Sequence, residues 1–160
     1  MNEKTLRILE YNKIIEKLTE AASSPMGKEL CRKLEPFTEL SKICQAQMET
    51  SDALARIYAK GSISFSGLKD IRGSLLRLKV GSTLNAVELL AISSLLDVAL
   101  RAKAYSRREN SEAPGDCLDD MFAVIEPLSP LNNEIKRCII SEEDIADDAS
   151  PGLKSVRRNI

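Results

Sequence analysis

Seven cations fall into two groups in this chain, Arg101, Lys103, Arg107 and Arg108, then Lys154, Arg157 and Arg158. Guanidinium and ammonium groups so clustered could hold backbone phosphates. The first group closes a helical pattern, where cations also complement the helix dipole without any ligand. Neither group has aromatic residues interleaved in the stacking pattern that single-stranded bases require. Acids collect elsewhere: residues 109–148 hold 12 carboxylates against Lys136 and Arg137, a net −10. The bland reading is a solvated acidic surface with loops; the alternative is a metal or cationic-partner site. Its densest part, 141–148, lacks the glycine and the terminal glutamate of a calcium loop.

Other chemistry is excluded by composition. The 160 residues contain no His, which removes Ser-His-Asp and Cys-His catalysis and His-ligated metals. Cys31, Cys44, Cys117 and Cys138 show no CxxC or other close ligand spacing. Cys31 and Cys138 fall at apolar helical positions, where a free thiol behaves as a small buried hydrophobe. There is no G-x-x-x-x-G-K-[ST] phosphate loop, and Gly67, Gly73 and Gly81 do not make a dinucleotide fingerprint. No pair of carboxylates is marked for acid–base work. We therefore expect no catalytic, cofactor-binding or metal-binding residue in this chain. A net charge of −1 gives no bulk attraction to nucleic acid or acidic lipid.

The elements that would carry these groups repeat at the helical period almost throughout, with scarce strand alternation. A helix is expected over 3–22, with Leu6, Leu9, Ile14, Ile15, Leu18 and Ala22 inward. Ser24-Pro25 opens a second helix, ended before Pro36. Thr38 opens a long one whose inward stripe reads Leu40, Ile43, Cys44, Gln47, Met48, Ser51, Leu54, Ala55 and Tyr58, stopped by Gly61. Residues 62–66 are extended or a loop, and 68–79 form a shorter helix closed by Gly81.

Asn85 and Glu88 read as a capping box flanked by Leu84 and Leu89 as a hydrophobic staple. The helix they start passes Ile92, Leu95, Leu96, Ala99 and Ala102 to about Arg107. Residues 110–115 read as a loop; 116–126 and 130–140 follow as short helices, the second opened by Ser129-Pro130. Ser150-Pro151 opens a last helix, with Leu153, Val156 and Ile160 beginning an apolar stripe. A capped helix cut after about ten residues suggests the first part of a longer chain. The apolar stretch 86–104 is broken by Glu88, Asp97, Arg101 and Lys103, so no membrane span is expected. The N-terminus lacks the apolar core of a signal peptide. A cytoplasmic, reduced protein follows.

Some residues are more specific than their chemistry. The run 67–73 (GLKDIRG), then Leu76, Gly81-Ser82, Leu84, Glu88-Leu89, Ile92 and Leu95, resembles the MutS family in its Smr-tailed bacterial branch, here MutS-two. Further matches are Leu9-Glu10-Tyr11, Lys13, Ala22-Ser23-Ser24, Gly27-Lys28 and Asp148-Ala149-Ser150 with Leu153, Val156 and Arg157-Arg158. Gly152 departs from a helix former there, and Lys79-Val80 from a more Ala-rich stretch.

The resemblance implies an all-α, irregular multi-helix bundle: a helical core region over 1–148, with a lever helix starting at 149–160. It implies a homodimeric parent with ATPase and endonuclease activity in domains absent here, using ATP and Mg, acting on branched DNA or ribosomes and suppressing recombination. This part would be a non-catalytic scaffold partnered by the rest of its own chain: a returning core segment, the levers and the ATPase domain. An incomplete core should leave apolar surface exposed.

By the same resemblance, Asp148, Ser150, Leu153, Val156 and Ile160 would hold the lever start, and Leu84, Asn85, Glu88 and Leu89 the longest middle helix. Lys154, Arg157 and Arg158 are weak candidates for nucleic-acid contact. The rival reading is a self-contained helical adaptor for a protein or RNA partner.

Overall fold

A computed structural model describes residues 3–107 and 115–159. Arg108, residues 110–114 of the expected loop, and Ile160 lie outside the described residues. The described residues form nine helices: α1 (Glu3–Ile8), α2 (Tyr11–Ala21), α3 (Pro25–Arg32), α4 (Leu40–Lys60), α5 (Arg72–Lys79), α6 (Ala86–Ser106), α7 (Asp119–Ala123), α8 (Ser129–Cys138) and α9 (Pro151–Arg158). The only pairing of extended backbone among them is one antiparallel bridge, Ile139 with Ile145. The fold is an all-α, irregular multi-helix bundle. None of the described helices is long and apolar enough to cross a membrane.

The chain divides into two compact units, Met1–Ser66 with Ala102–Ile125, and Gly67–Arg101 with Glu126–Ile160. In the first unit, the expected helix over 3–22 is two helices. Glu10 breaks it in the left-handed region (φ 52°), a conformation a non-glycine residue adopts only at a cost of about 1–2 kcal/mol. The turn is held by Lys13, whose Nζ lies 2.6 Å from the Glu10 carboxylate and whose N–H donates to the Glu10 carbonyl at 2.9 Å. The break turns Leu9, Ile14 and Leu18 outward, contrary to the single-helix reading.

α3 starts as its sequence dictates: Ser24 Oγ accepts from the Gly27 N–H at 3.0 Å. A Cβ on Gly27 would meet that oxygen at 2.9 Å, so glycine admits the cap. The Tyr11 hydroxyl donates to the Leu34 carbonyl at 3.1 Å, tying α2 to the end of α3.

α4 starts after Glu39, whose side chain makes no capping hydrogen bond, rather than at Thr38, and ends at Gly61 with φ 77°. Its face differs from the expected stripe. Leu40, Cys44, Gln47, Met48, Ser51, Leu54, Ala55 and Tyr58 are exposed, Tyr58 at 82%. Arg56 is buried instead, at 8% exposure, with Ala46, Glu49, Asp52, Ala53 and Lys60 half-buried beside it. The reason is a charged tie, described below, that draws this polar face inward.

In the second unit, α5 begins at Arg72, four residues later than the periodicity suggests. Asp70 stops the earlier start: its carboxylate accepts from the Arg72 N–H at 3.0 Å. Gly81, at φ 82°, supplies the left-handed turn after it. α6 is apolar on nearly all sides, the mark of a buried helix. Ala91, Leu96 and Val98 from it, Ile135 and Ile139 from the α8 stretch, and Ala146 form this unit's buried apolar residues. α8 starts at Ser129 itself, after a left-handed Leu128 (φ 43°), so Ser129 is not its cap.

Candidate functional site: capped joints and interior polar ties

The middle helix is entered through two reciprocal hydrogen bonds. Asn85 Oδ1 accepts from the Glu88 N–H at 3.0 Å, and Glu88 Oε2 accepts from the Asn85 N–H at 3.1 Å. Ser74 Oγ donates to Glu88 at 2.9 Å and Arg77 Nη2 at 2.8 Å, so the same carboxylate ties α5 to α6. The Asn85 N–H, ahead of the Ser74 hydroxyl, holds the Glu88 pKa below the ordinary carboxylate range. Leu84 and Leu89 are half-buried on either side.

Further along α6, Ser93 Oγ donates to Asn132 Oδ1 at 2.6 Å, and Asn132 Nδ2 donates to Asp97 at 2.7 Å. Lys136 Nζ donates to the same Asp97 oxygen at 2.7 Å. Ser93 and Asn132 are both 4% exposed. Lys136, then Asn132, lower the Asp97 pKa against the opposing effect of burial. Through Ser93, Asp97, Asn132 and Lys136 these bonds link α6 to α8 and fix the register of the two helices.

The last helix leaves a joint gripped from both sides. Ser150 Oγ accepts from the Leu153 N–H at 3.1 Å, capping α9. From α8, Arg137 donates to the carbonyls of Asp148 (3.0 Å) and Ala149 (3.3 Å) while forking onto Glu134 (2.6 and 3.0 Å). From α9, Arg157 donates to the Ile145 carbonyl at 3.1 Å and pairs with the Asp147 carboxylate. The backbone closes the loop between them, as the Ala146 N–H donates to the Cys138 carbonyl at 2.9 Å. Asp148 contributes its carbonyl. Leu153 is half-buried, whereas Val156 is exposed.

The expected phosphate-contact residues therefore part company. Lys154, Arg157 and Arg158 are all exposed, but Arg157 is also tied into the joint. In the earlier group, Lys103 donates to the carbonyls of Phe122 (3.2 Å) and Ala123 (2.9 Å), satisfying the end of α7. Arg101 and Arg107 are exposed.

Sequence reasoning missed Arg56. Its Nε and Nη2 donate to Asp116 at 2.6 and 2.5 Å, and Nη2 also to Asp119 at 2.7 Å. The hydrogen bond to Asp116, ahead of the opposing burial, raises the Arg56 pKa. Asp52 accepts from the Cys117 N–H at 3.0 Å. Hydrogen bonding to Asp52, then burial, pushes the Cys117 thiol up to about 11, which keeps it protonated and unreactive. Nothing in the sequence marked Arg56, because a charge off the apolar stripe of an amphipathic helix reads as solvated surface.

No group of three or more Cys, Asp or Glu side chains among the described residues is placed to hold a metal ion. Gly67 and Gly81 make turns with positive φ, and no phosphate-loop sequence accompanies them.

What the fold and these ties define is an all-helical chain in which Arg56, Glu88, Asn132, Arg137 and Arg157 are engaged in caps, joints and interior networks. Among known proteins, it is 59% identical over 165 aligned positions to Endonuclease MutS2 of Lachnoclostridium phytofermentans. It is 49% identical over 160 positions to Endonuclease MutS2 of Agathobacter rectalis, and 43% over 159 to that of Lachnospira eligens. These alignments cover 99–100% of this chain and 20–21% of each relative. The chain belongs to the MutS2 family and spans about a fifth of the length of these relatives. No protein-family model matches it.

Proposed function

We propose that this chain is a non-catalytic helical scaffold that fixes the direction of a longer lever helix starting at 149–160. The core region, 1–148, would transmit position between that lever and an ATPase domain elsewhere in the protein. The observation that carries this is the joint before α9. Two arginines from different helices, Arg137 and Arg157, grip carbonyls 145, 148 and 149. Coupling between distant sites needs rigid elements with discrete arrangements, and a gripped joint supplies one. The relatives' name, Endonuclease MutS2, supports a parent with nuclease activity, and the family resemblance supports one that uses ATP and Mg, dimerises, and acts on branched DNA or ribosomes.

The test is a graft. This segment replaces its 59% identical counterpart in the L. phytofermentans relative, with and without Arg137→Ala plus Arg157→Ala. The expected result is unchanged basal ATP hydrolysis with loss of its response to branched DNA. A DNA response equal to that of the unsubstituted graft would refute a coupling role for the joint.

A further inference from the structure

With its charged side turned inward, α4 presents a seam to solvent. Leu40, Cys44, Gln47, Ser51, Leu54 and Tyr58 are all exposed and succeed one another at alternating steps of four and three residues. Two such steps make a heptad, the repeat that keeps one stripe of a helix against a neighbouring helix. At 1.5 Å per residue the seam runs for about 27 Å. Its flanks, Ser41, Met48 and Ala55 on one side and Ile43, Thr50 and Ile57 on the other, hold no charge. The charged residues of α4, namely Lys42, Glu49, Asp52, Arg56 and Lys60, all fall outside the seam and its flanks. An uncharged face of this length on an exposed helix marks an interaction surface.

We propose that this seam pairs antiparallel with α4 of a second copy of the chain, about a two-fold axis beside the turn 47–51. The order of the six residues selects that occupant. Antiparallel pairing sets Leu40 against Tyr58 of the second copy, Cys44 against its Leu54 and Gln47 against its Ser51, and the two-fold axis repeats each contact. Apolar residues meet apolar ones towards both ends. The two polar residues meet each other at the centre, where an amide and a hydroxyl can hydrogen-bond. A slip of one heptad would set Gln47 against Tyr58 and Ser51 against Leu54, leaving both polar groups covered and unpaired. A polar pair within a seam fixes register in this way. Parallel pairing would set every residue against itself and align the helix dipoles side by side, whereas antiparallel helices oppose them. The contact uses one patch on both copies, so it closes as a dimer.

The experiment oxidises the 160-residue chain carrying Leu54→Cys with diamide and reads disulfide-linked dimer on a non-reducing gel. The new thiol faces Cys44 of the second copy, within the Cα separation of about 7 Å that a disulfide tolerates. The expected yield is roughly tenfold or more above that of the unsubstituted chain, and adding Cys44→Ser should abolish it. Ser51→Glu, at an exposed position, should raise the dimer dissociation constant in sedimentation about tenfold with an unchanged thermal midpoint. No linked dimer with Leu54→Cys would overturn the proposal, as would linkage that survives Cys44→Ser. Linkage through Cys44 in the unsubstituted chain would mean parallel pairing and overturn it equally. Leu54→Cys is also placed in the graft into the L. phytofermentans relative, where linked dimer is again expected. Its absence there would assign the seam to the rest of the parent chain and overturn the second copy as occupant.

Discussion

Arg56 shows how one residue reorganises a helix. Paired with two carboxylates and set over an aromatic ring, it brings a charged face of α4 inward at the expense of an apolar one. Arg56→Met would strand Asp116 and Asp119. Removing one partner of a buried pair costs about 3–5 kcal/mol, and partial hydration of the two aspartates reduces this to about 2–3 kcal/mol, measurable by urea unfolding. Glu88 makes a second prediction. Its folded pKa lies below its ordinary value of 4.5, so its contribution is fully present above that value and is lost as pH falls through the lowered one. Glu88→Gln keeps a capping-box acceptor but removes the charge. The thermal midpoint of the variant should fall below the parent's at neutral pH, and the gap should close in acid.

At the scale of elements, α9 balances a good start against a weak first turn. Ser150→Ala removes the cap and should cost about 1 kcal/mol, seen as faster amide exchange across α9. Gly152→Ala should act oppositely: a Cβ there meets no atom within 4 Å, and alanine gains up to ~1 kcal/mol of helix propensity. Slower exchange in Gly152→Ala with no change in Ser150→Ala would contradict the capping geometry. The same reasoning explains which helix starts could be read in advance. At Ser24, Asn85 and Ser150 the capping oxygen and its N–H lie three residues apart, so both partners sit in one short window. The break at Glu10 and the start at Leu128 depend on left-handed residues of ordinary type, which carry no such mark.

At the scale of the whole molecule, apolar side chains remain outside. Leu40 is 75% exposed and Tyr58 82%, on the same helix, and Leu30 and Phe37 are also exposed in the first unit. Exposed apolar faces of this kind drive association. Sedimentation velocity should show an average coefficient that rises with concentration, and Leu40→Glu with Tyr58→Lys should reduce that rise. A concentration-independent monomer would remove the association argument.

The sequence by itself determined the all-helical class, the capped helix starts at Ser24, Asn85 and Ser150, and the absence of histidine chemistry. Helical period and caps are local: their partners lie within one or two turns, and propensity and hydrogen bonding act there directly. Only the tertiary structure decided which face of α4 turns inward, how the joint before α9 is gripped, and where the helices break. Arg56 meets its carboxylates 60 and 63 residues away, and Asn132 meets Ser93 39 residues away. A charge or amide that can pair only across such distances looks like solvated surface in a sequence, because its partner is chosen by packing rather than by spacing.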